Sequence, residues 1–111
     1  MELDENTKKR FFNIIRDSLS EKEVDEFSGV FSWEDIVRFC EKVLCDSAHE
    51  NHECCIDDDG TASISITGNS VKFYDANLIM AVSEIASNLE IYPRTDNVVC
   101  VEFTFYKEDL E

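Results

Sequence analysis

The sequence predicts an α+β domain in the order α-α-α-β-β-α-β, with a small, mostly antiparallel sheet. Three observations predict it. Apolar residues recur at helical spacing through the first 45 positions of a 111-residue chain. The pattern then changes to alternation, with Ala62, Ile64 and Ile66 set against Ser63, Ser65 and Thr67. The chain is 43% hydrophobic and includes eight Phe, three Tyr and one Trp, too apolar for a disordered acidic tail. The length suits one domain, residues 1–111, with no internal repeat and no Pro/Gly/Ser linker.

Thr7 is positioned to cap a first helix reaching about Leu19, with Phe11, Phe12, Ile15 and Leu19 at helical spacing. Ser20-Glu21-Lys22-Glu23 reads as a capping box opening a short second helix through Val24 and Phe27, with Gly29 as its stop. Ser32-Trp33-Glu34-Asp35 opens a third. Its stripe is Trp33, Ile36, Val37, Cys40, Val43 and Leu44. Residues 46–60, DSAHENHECCIDDDG, break all periodicity and read as a surface loop. Ala62, Ile64 and Ile66 form a half-buried strand. Gly68-Asn69 is a two-residue turn signal, and Val71 and Phe73 alternate after it, completing a hairpin. Asp75 or Asn77 caps a fourth helix whose face is Leu78, Val82, Ile85 and Leu89, flanked by Ile79 and Ala86; Pro93 forbids its continuation. The last strand runs from Val98 to Tyr106, with Val99, Val101, Phe103 and Phe105 on one face. It is expected beside the first strand, antiparallel, in a three-stranded sheet covered by helices on one face.

Charge narrows the function. The chain carries 25 Asp and Glu against 10 Lys and Arg, a formal net charge of −15. Binding to a polyphosphate draws on Lys and Arg displacing counterions, so this field repels nucleic acid and excludes a general nucleic-acid binder. The N-terminus MELDENTKK is acidic and polar rather than signal-like, and the longest apolar run, Leu78-Ile79-Met80-Ala81-Val82, is far below the ~20 residues of a membrane span. A cytoplasmic protein with free thiols is expected from this and from an odd number of cysteines, 40, 45, 54, 55 and 100.

Reactive chemistry finds little support. Cys45, His49, His52, Cys54 and Cys55, with Cys40 upstream, are zinc-ligand types. No paired CxxC knuckle is present, and adjacent cysteines chelate one tetrahedral ion poorly. A Cys54 or Cys55 nucleophile beside His52 sits among acids that raise a thiol pKa. The glycines at 29, 60 and 68 build no phosphate cradle. A calcium loop starting at Asp57 needs Gly at 62 and Glu at 68, which are Ala and Gly. No catalytic residue, metal or cofactor is assigned, and the chain is read as a non-enzyme.

The acids themselves are the feature to explain. Glu21, Glu23, Asp25 and Glu26 crowd the second helix. Asp46, Glu50, Glu53, Asp57, Asp58 and Asp59 follow one another with no Lys or Arg among them. Such like charges oppose compaction, and a basic partner turns their repulsion into attraction. Carboxylates set where a nuclease expects phosphates form charge-assisted bonds to its Arg and Lys, and opposed fields speed capture. In size, acidity and mixed α/β plan the chain resembles the small acidic immunity proteins of bacterial toxin systems, particularly those of contact-dependent growth inhibition. The resemblance is one of overall character, and no residue role is carried over by it. It implies a cytoplasmic protein that binds one cognate basic toxin domain, often a nuclease, in a 1:1 complex and blocks its active site. The ten acids named above are the expected contacts, with Tyr74, Tyr92 or Tyr106 as aromatic anchors. An acidic adaptor, or a nucleic-acid mimic that regulates DNA-binding proteins, is the alternative.

Overall fold

The computed structural model describes residues 2–45, 51–69, 76–95 and 97–110. Helix α1 is Glu5–Ile15. Its cap is Asp4 rather than Thr7: the Asp4 carboxylate accepts from the Thr7 amide at 2.7 Å. That bond holds the Asp4 carboxyl below the ordinary carboxylate range. The helix tightens into a 3-10 turn, Arg16–Ser18, so the expected run to Leu19 is shorter by one turn. Helix α2, Glu21–Phe27, starts with the expected capping box: Glu23 N donates to Ser20 Oγ and Ser20 N to Glu23 Oε1. Helix α3, Trp33–Cys45, opens on Ser32, whose hydroxyl accepts from Asp35 N at 3.2 Å while Asp35 accepts from the amides of Phe31 and Ser32.

The β half departs further from expectation. Strand β1, Asn51–Ile56, occupies what reads as loop, and pairs antiparallel with β2, Thr61–Asn69. Helix α4, Ala76–Ile85, ends four residues before Leu89. Strand β3, Asn88–Thr95, replaces the expected end of that helix. Strand β4, Val98–Tyr106, lies antiparallel to both β2 and β3 and leads into a short helix α5, Lys107–Leu110. Among the described residues the sheet is thus four-stranded, in the order β1-β2-β4-β3. The expected pairing of the last strand with the strand at 62–67 is present as β2 against β4. The expected turn at Gly68-Asn69 is not: both residues are within β2, opposite Val99 and Val98. The expected strand at Val71 and Phe73 lies outside the described residues.

Each difference has a physical reason. Strand β1 is an edge with a solvated outer face, so Cys54 and Ile56 alone turn inward and the alternation is too short to stand out. Strand β3 is also an edge and accommodates Pro93, which lacks a donor to continue a ladder. A bulge between Pro93 and Thr95 makes room for it. The turn into β4 places Asn97 at φ +64°, a conformation asparagine tolerates.

The core lies between the sheet and the helices. Ala62, Ile64 and Ile66 of β2 and Val101, Phe103 and Phe105 of β4 meet Phe11, Ile15, Ile36, Val37, Leu44, Leu78, Val82 and Ile85, all buried. Burying a large apolar side chain contributes about 1.5–3 kcal/mol. Phe27 joins α2 to α3 by an edge-on contact with Phe39 at 5.1 Å between ring centres. The opposite face of the sheet is polar, and the molecule measures only 17 Å along its shortest axis, which suits two layers.

Candidate functional site

The acids expected to contact a partner fall into three groups. On α2, Glu21 and Asp25 are exposed, but Glu23 is buried. One Glu23 oxygen closes the capping box and the other has no hydrogen-bond partner, so this residue holds the helix start rather than facing outward. Glu26 is taken up by Lys42 of α3, which donates to it, and by Lys22 at 3.9 Å. The Lys42 bond holds the Glu26 carboxyl below its ordinary value. Asp46 and Glu50 lie outside the described residues.

The third group comes together. Strands β1 and β2 make a hairpin whose tip, residues 57–60, carries Asp57, Asp58 and Asp59, all exposed. Backbone bonds shape the tip: Asp57 N donates to Thr61 O at 2.8 Å and Gly60 N to Asp57 O at 3.3 Å. Asp59 Oδ1 accepts from Thr61 N at 3.0 Å. Gly60 sits at φ +91°, where a side chain is strained. Lys107 N donates to Gly60 O at 2.8 Å, which sets α5 with its exposed Glu108 and Asp109 beside the tip. Lys107 also shares a small cavity with Ser32, Trp33 and Glu34 at the start of α3. Glu26 meets Lys42 in the last turns of α3, and residues 33 and 42 are about 14 Å apart along a helix axis. The α2 acids and the tip therefore form separate surfaces.

Glu53 belongs to neither group. Because partners across an antiparallel ladder share a face, the register aligns Glu53, Ser65, Glu102 and Glu90 in one row across all four strands. This row crosses the polar face of the sheet, away from the core. One neighbouring row is Asn51, Thr67, Cys100 and Tyr92; the other is Cys55, Ser63, Thr104 and Asn88. Ser65 Oγ donates to Glu102 Oε2 at 3.2 Å. Glu90 and Glu102 stand directly opposite each other, an unfavourable arrangement for like charges. No Lys or Arg forms an ion pair with Glu53, Glu90 or Glu102 among the described residues. Tyr92 and Tyr106 both belong to this face, Tyr106 opposite Thr61 next to the hairpin tip. Tyr74 lies outside the described residues. Glu90 and Glu102 were missed from sequence because the strand holding Glu90 reads as helix, and Glu102 shows no charge run.

Most Lys and Arg residues are on the helices. Lys8, Lys9, Arg10, Lys22, Arg38 and Lys42 are on α1, α2 and α3. Among the described strand residues the one Lys or Arg is Arg94, whose guanidinium lies 6.0 Å from the Tyr92 ring centre. Arg94 lines an open trough of about 640 Å³ together with Asn51, His52, Glu53, Ser65 and Thr67.

The cysteines do not converge. Cys54 and Cys55 are consecutive on a strand, so their thiols face opposite sides of the sheet. Burial, with Glu41 beside it, pushes the Cys54 thiol up to about 11; burial pushes Cys40 up to about 12. Both remain thiols at neutral pH. Among the described residues no group of three or more His, Cys, Asp or Glu side chains is placed to hold a metal ion. No helix there is long and apolar enough to cross a membrane. No protein-family model, curated protein or solved structure matches the chain.

Proposed function

We propose that this protein binds and neutralises a basic protein, the toxin domain of a bacterial toxin–immunity pair, and in particular a nuclease. One observation carries the reading. Asp57, Asp58 and Asp59 are all exposed at a hairpin tip fixed by its own backbone bonds, and the exposed Glu108 and Asp109 lie on the short helix bonded to that tip. A nuclease cleft arranges Lys, Arg and His to receive phosphate, and a preformed row of carboxylates offers the same charge at little ordering cost. The protein acts by occupation, without a reaction of its own, as one copy per toxin domain in the cytoplasm of the cell it protects.

Co-expression with the toxin domain encoded next to its gene, read as cell survival, tests the proposal. Survival with the intact protein, lost when Asp57, Asp58 and Asp59 become Asn, supports it. Survival that does not depend on the protein ends it. Capture of many unrelated DNA-binding proteins instead of one partner favours a nucleic-acid mimic.

A further inference from the structure

Strand β3 ends the sheet, and no strand pairs with its outer edge among the described residues. Hydrogen bonds fix which groups that edge presents. Pairs along an antiparallel ladder alternate between those that exchange backbone bonds and those that do not. The bond from Lys107 N to Gly60 O lies one step beyond the Thr61–Tyr106 pair, so Phe105, Phe103 and Val101 bond to β2. Thr104, Glu102 and Cys100, between them, turn their backbone groups to β3, and the Thr104 carbonyl accordingly accepts from Ser87 N at 2.8 Å. Their partners Asn88, Glu90 and Tyr92 face inward, which leaves Leu89, Ile91 and Pro93 facing the outer edge. Leu89 and Ile91 offer both N–H and C=O there, and Pro93 its C=O.

A side chain marks the same edge. Ile91 shares the helix side of the sheet with the buried Val101 and Ile66, yet it is 62% exposed, so the helices that cover the core leave it in solvent. Resting on the basic-partner reading above, we propose that the outer edge of β3 binds an extended segment of that partner, added to the sheet as a further strand.

The two faces of β3 define the segment's chemistry. Side chains of an added strand alternate between the same two faces. On the helix side they meet Leu89, Ile91 and Pro93, which suits apolar residues. On the other side they meet Glu90 and Tyr92, which suits Lys or Arg. The net charge of −15 selects a cationic occupant over a second copy of this chain, which would set two like fields against each other. Backbone bonds to Leu89 and Ile91 hold the segment in register, and Ile91 gains apolar cover.

The test uses the whole protein and a short capped peptide alternating Lys and Val, at physiological salt, followed by amide hydrogen exchange. In the free protein the Leu89 and Ile91 amides are expected to exchange faster than those of Glu90 and Tyr92. The peptide is expected to slow both about tenfold or more. The same peptide N-methylated at every second residue keeps its charge, loses its donors on one side and is expected to bind about tenfold more weakly or worse. Ile91→Pro removes an N–H that no intrachain pair uses, and is expected to abolish protection at Leu89. Ile91→Lys, at an exposed position that keeps the fold, is expected to weaken binding of the cationic peptide. Equal binding of the two peptides, protection confined to the hairpin tip or to β1, undiminished binding to Ile91→Lys, or dimerisation through β3 in sedimentation overturns this inference. The survival assay of the toxin reading is independent of each of these outcomes.

Discussion

The Lys107 amide donates to the Gly60 carbonyl at 2.8 Å, and this bond ties the end of the chain to the tip of the first hairpin. Two stretches of acid, Asp57 to Asp59 and Glu108 with Asp109, are thereby held on one side of the molecule although some fifty residues separate them. Gly60 makes the approach possible. A Cβ there would meet the Lys107 Cβ at 3.4 Å, on a backbone already at φ +91°.

Gly60→Ala is therefore expected to destabilise the fold by about 1–3 kcal/mol, because the strained φ outweighs the entropy alanine removes from the unfolded chain. Urea denaturation measures it. An unchanged midpoint would show that the tip relaxes freely and is not held in one shape.

Replacing Asp57, Asp58 and Asp59 with Asn is expected to slow association with a basic partner and to leave the urea midpoint within about 0.5 kcal/mol of the parent. Asn at 59 still accepts from Thr61 N, so the turn survives. Stopped-flow rates for the parent are expected to fall as salt rises, and those of the variant to fall less. Equal salt dependence in the two proteins contradicts a steering role for the tip.

Glu26 gives a pH prediction. Its carboxyl is held below the ordinary value near 4.5, first by the Lys42 hydrogen bond. A group depressed in the folded state adds stability above its unfolded pKa and loses it as pH falls through the folded one. Lys42→Met is expected to move the Glu26 titration midpoint up in carboxyl NMR and to flatten the loss of stability in the acid range below about pH 4.5. A midpoint that does not move shows that the Lys42 bond does not form in solution.

The thiols should react in an order set by burial. Cys45 and Cys55 are exposed, Cys54 is half-buried with its pKa raised, and Cys40 and Cys100 are buried. A disulfide reagent at mildly alkaline pH is expected to label Cys45 and Cys55 first, and the buried pair only on unfolding. Early labelling of Cys54 would contradict its placement against α3.

Phe103 is fully buried and pairs with Ile64 on one side and Leu89 on the other. Phe103→Ala is expected to cost about 3–5 kcal/mol, enough to threaten a domain of this size. Calorimetry or denaturant titration checks it, and a cost below about 1 kcal/mol would mean the core is not packed around this ring.

The sequence by itself determined the three N-terminal helices, the Ser20–Glu23 capping box and the alternating strands at β2 and β4. In each, the signal is local: helical or two-residue periodicity over enough positions, or a side chain that caps a nearby amide. Tertiary structure alone decided β1 and β3. An edge strand buries little, so Cys54 with Ile56, and Leu89 beside Pro93, leave alternations too short to outweigh a polar run or the tail of a helical stripe. The acidic tip was legible as a run of aspartates, though not as a hairpin tip. The Glu53–Glu102–Glu90 row was not legible at all, because its members are far apart in the chain and become neighbours only through cross-strand register.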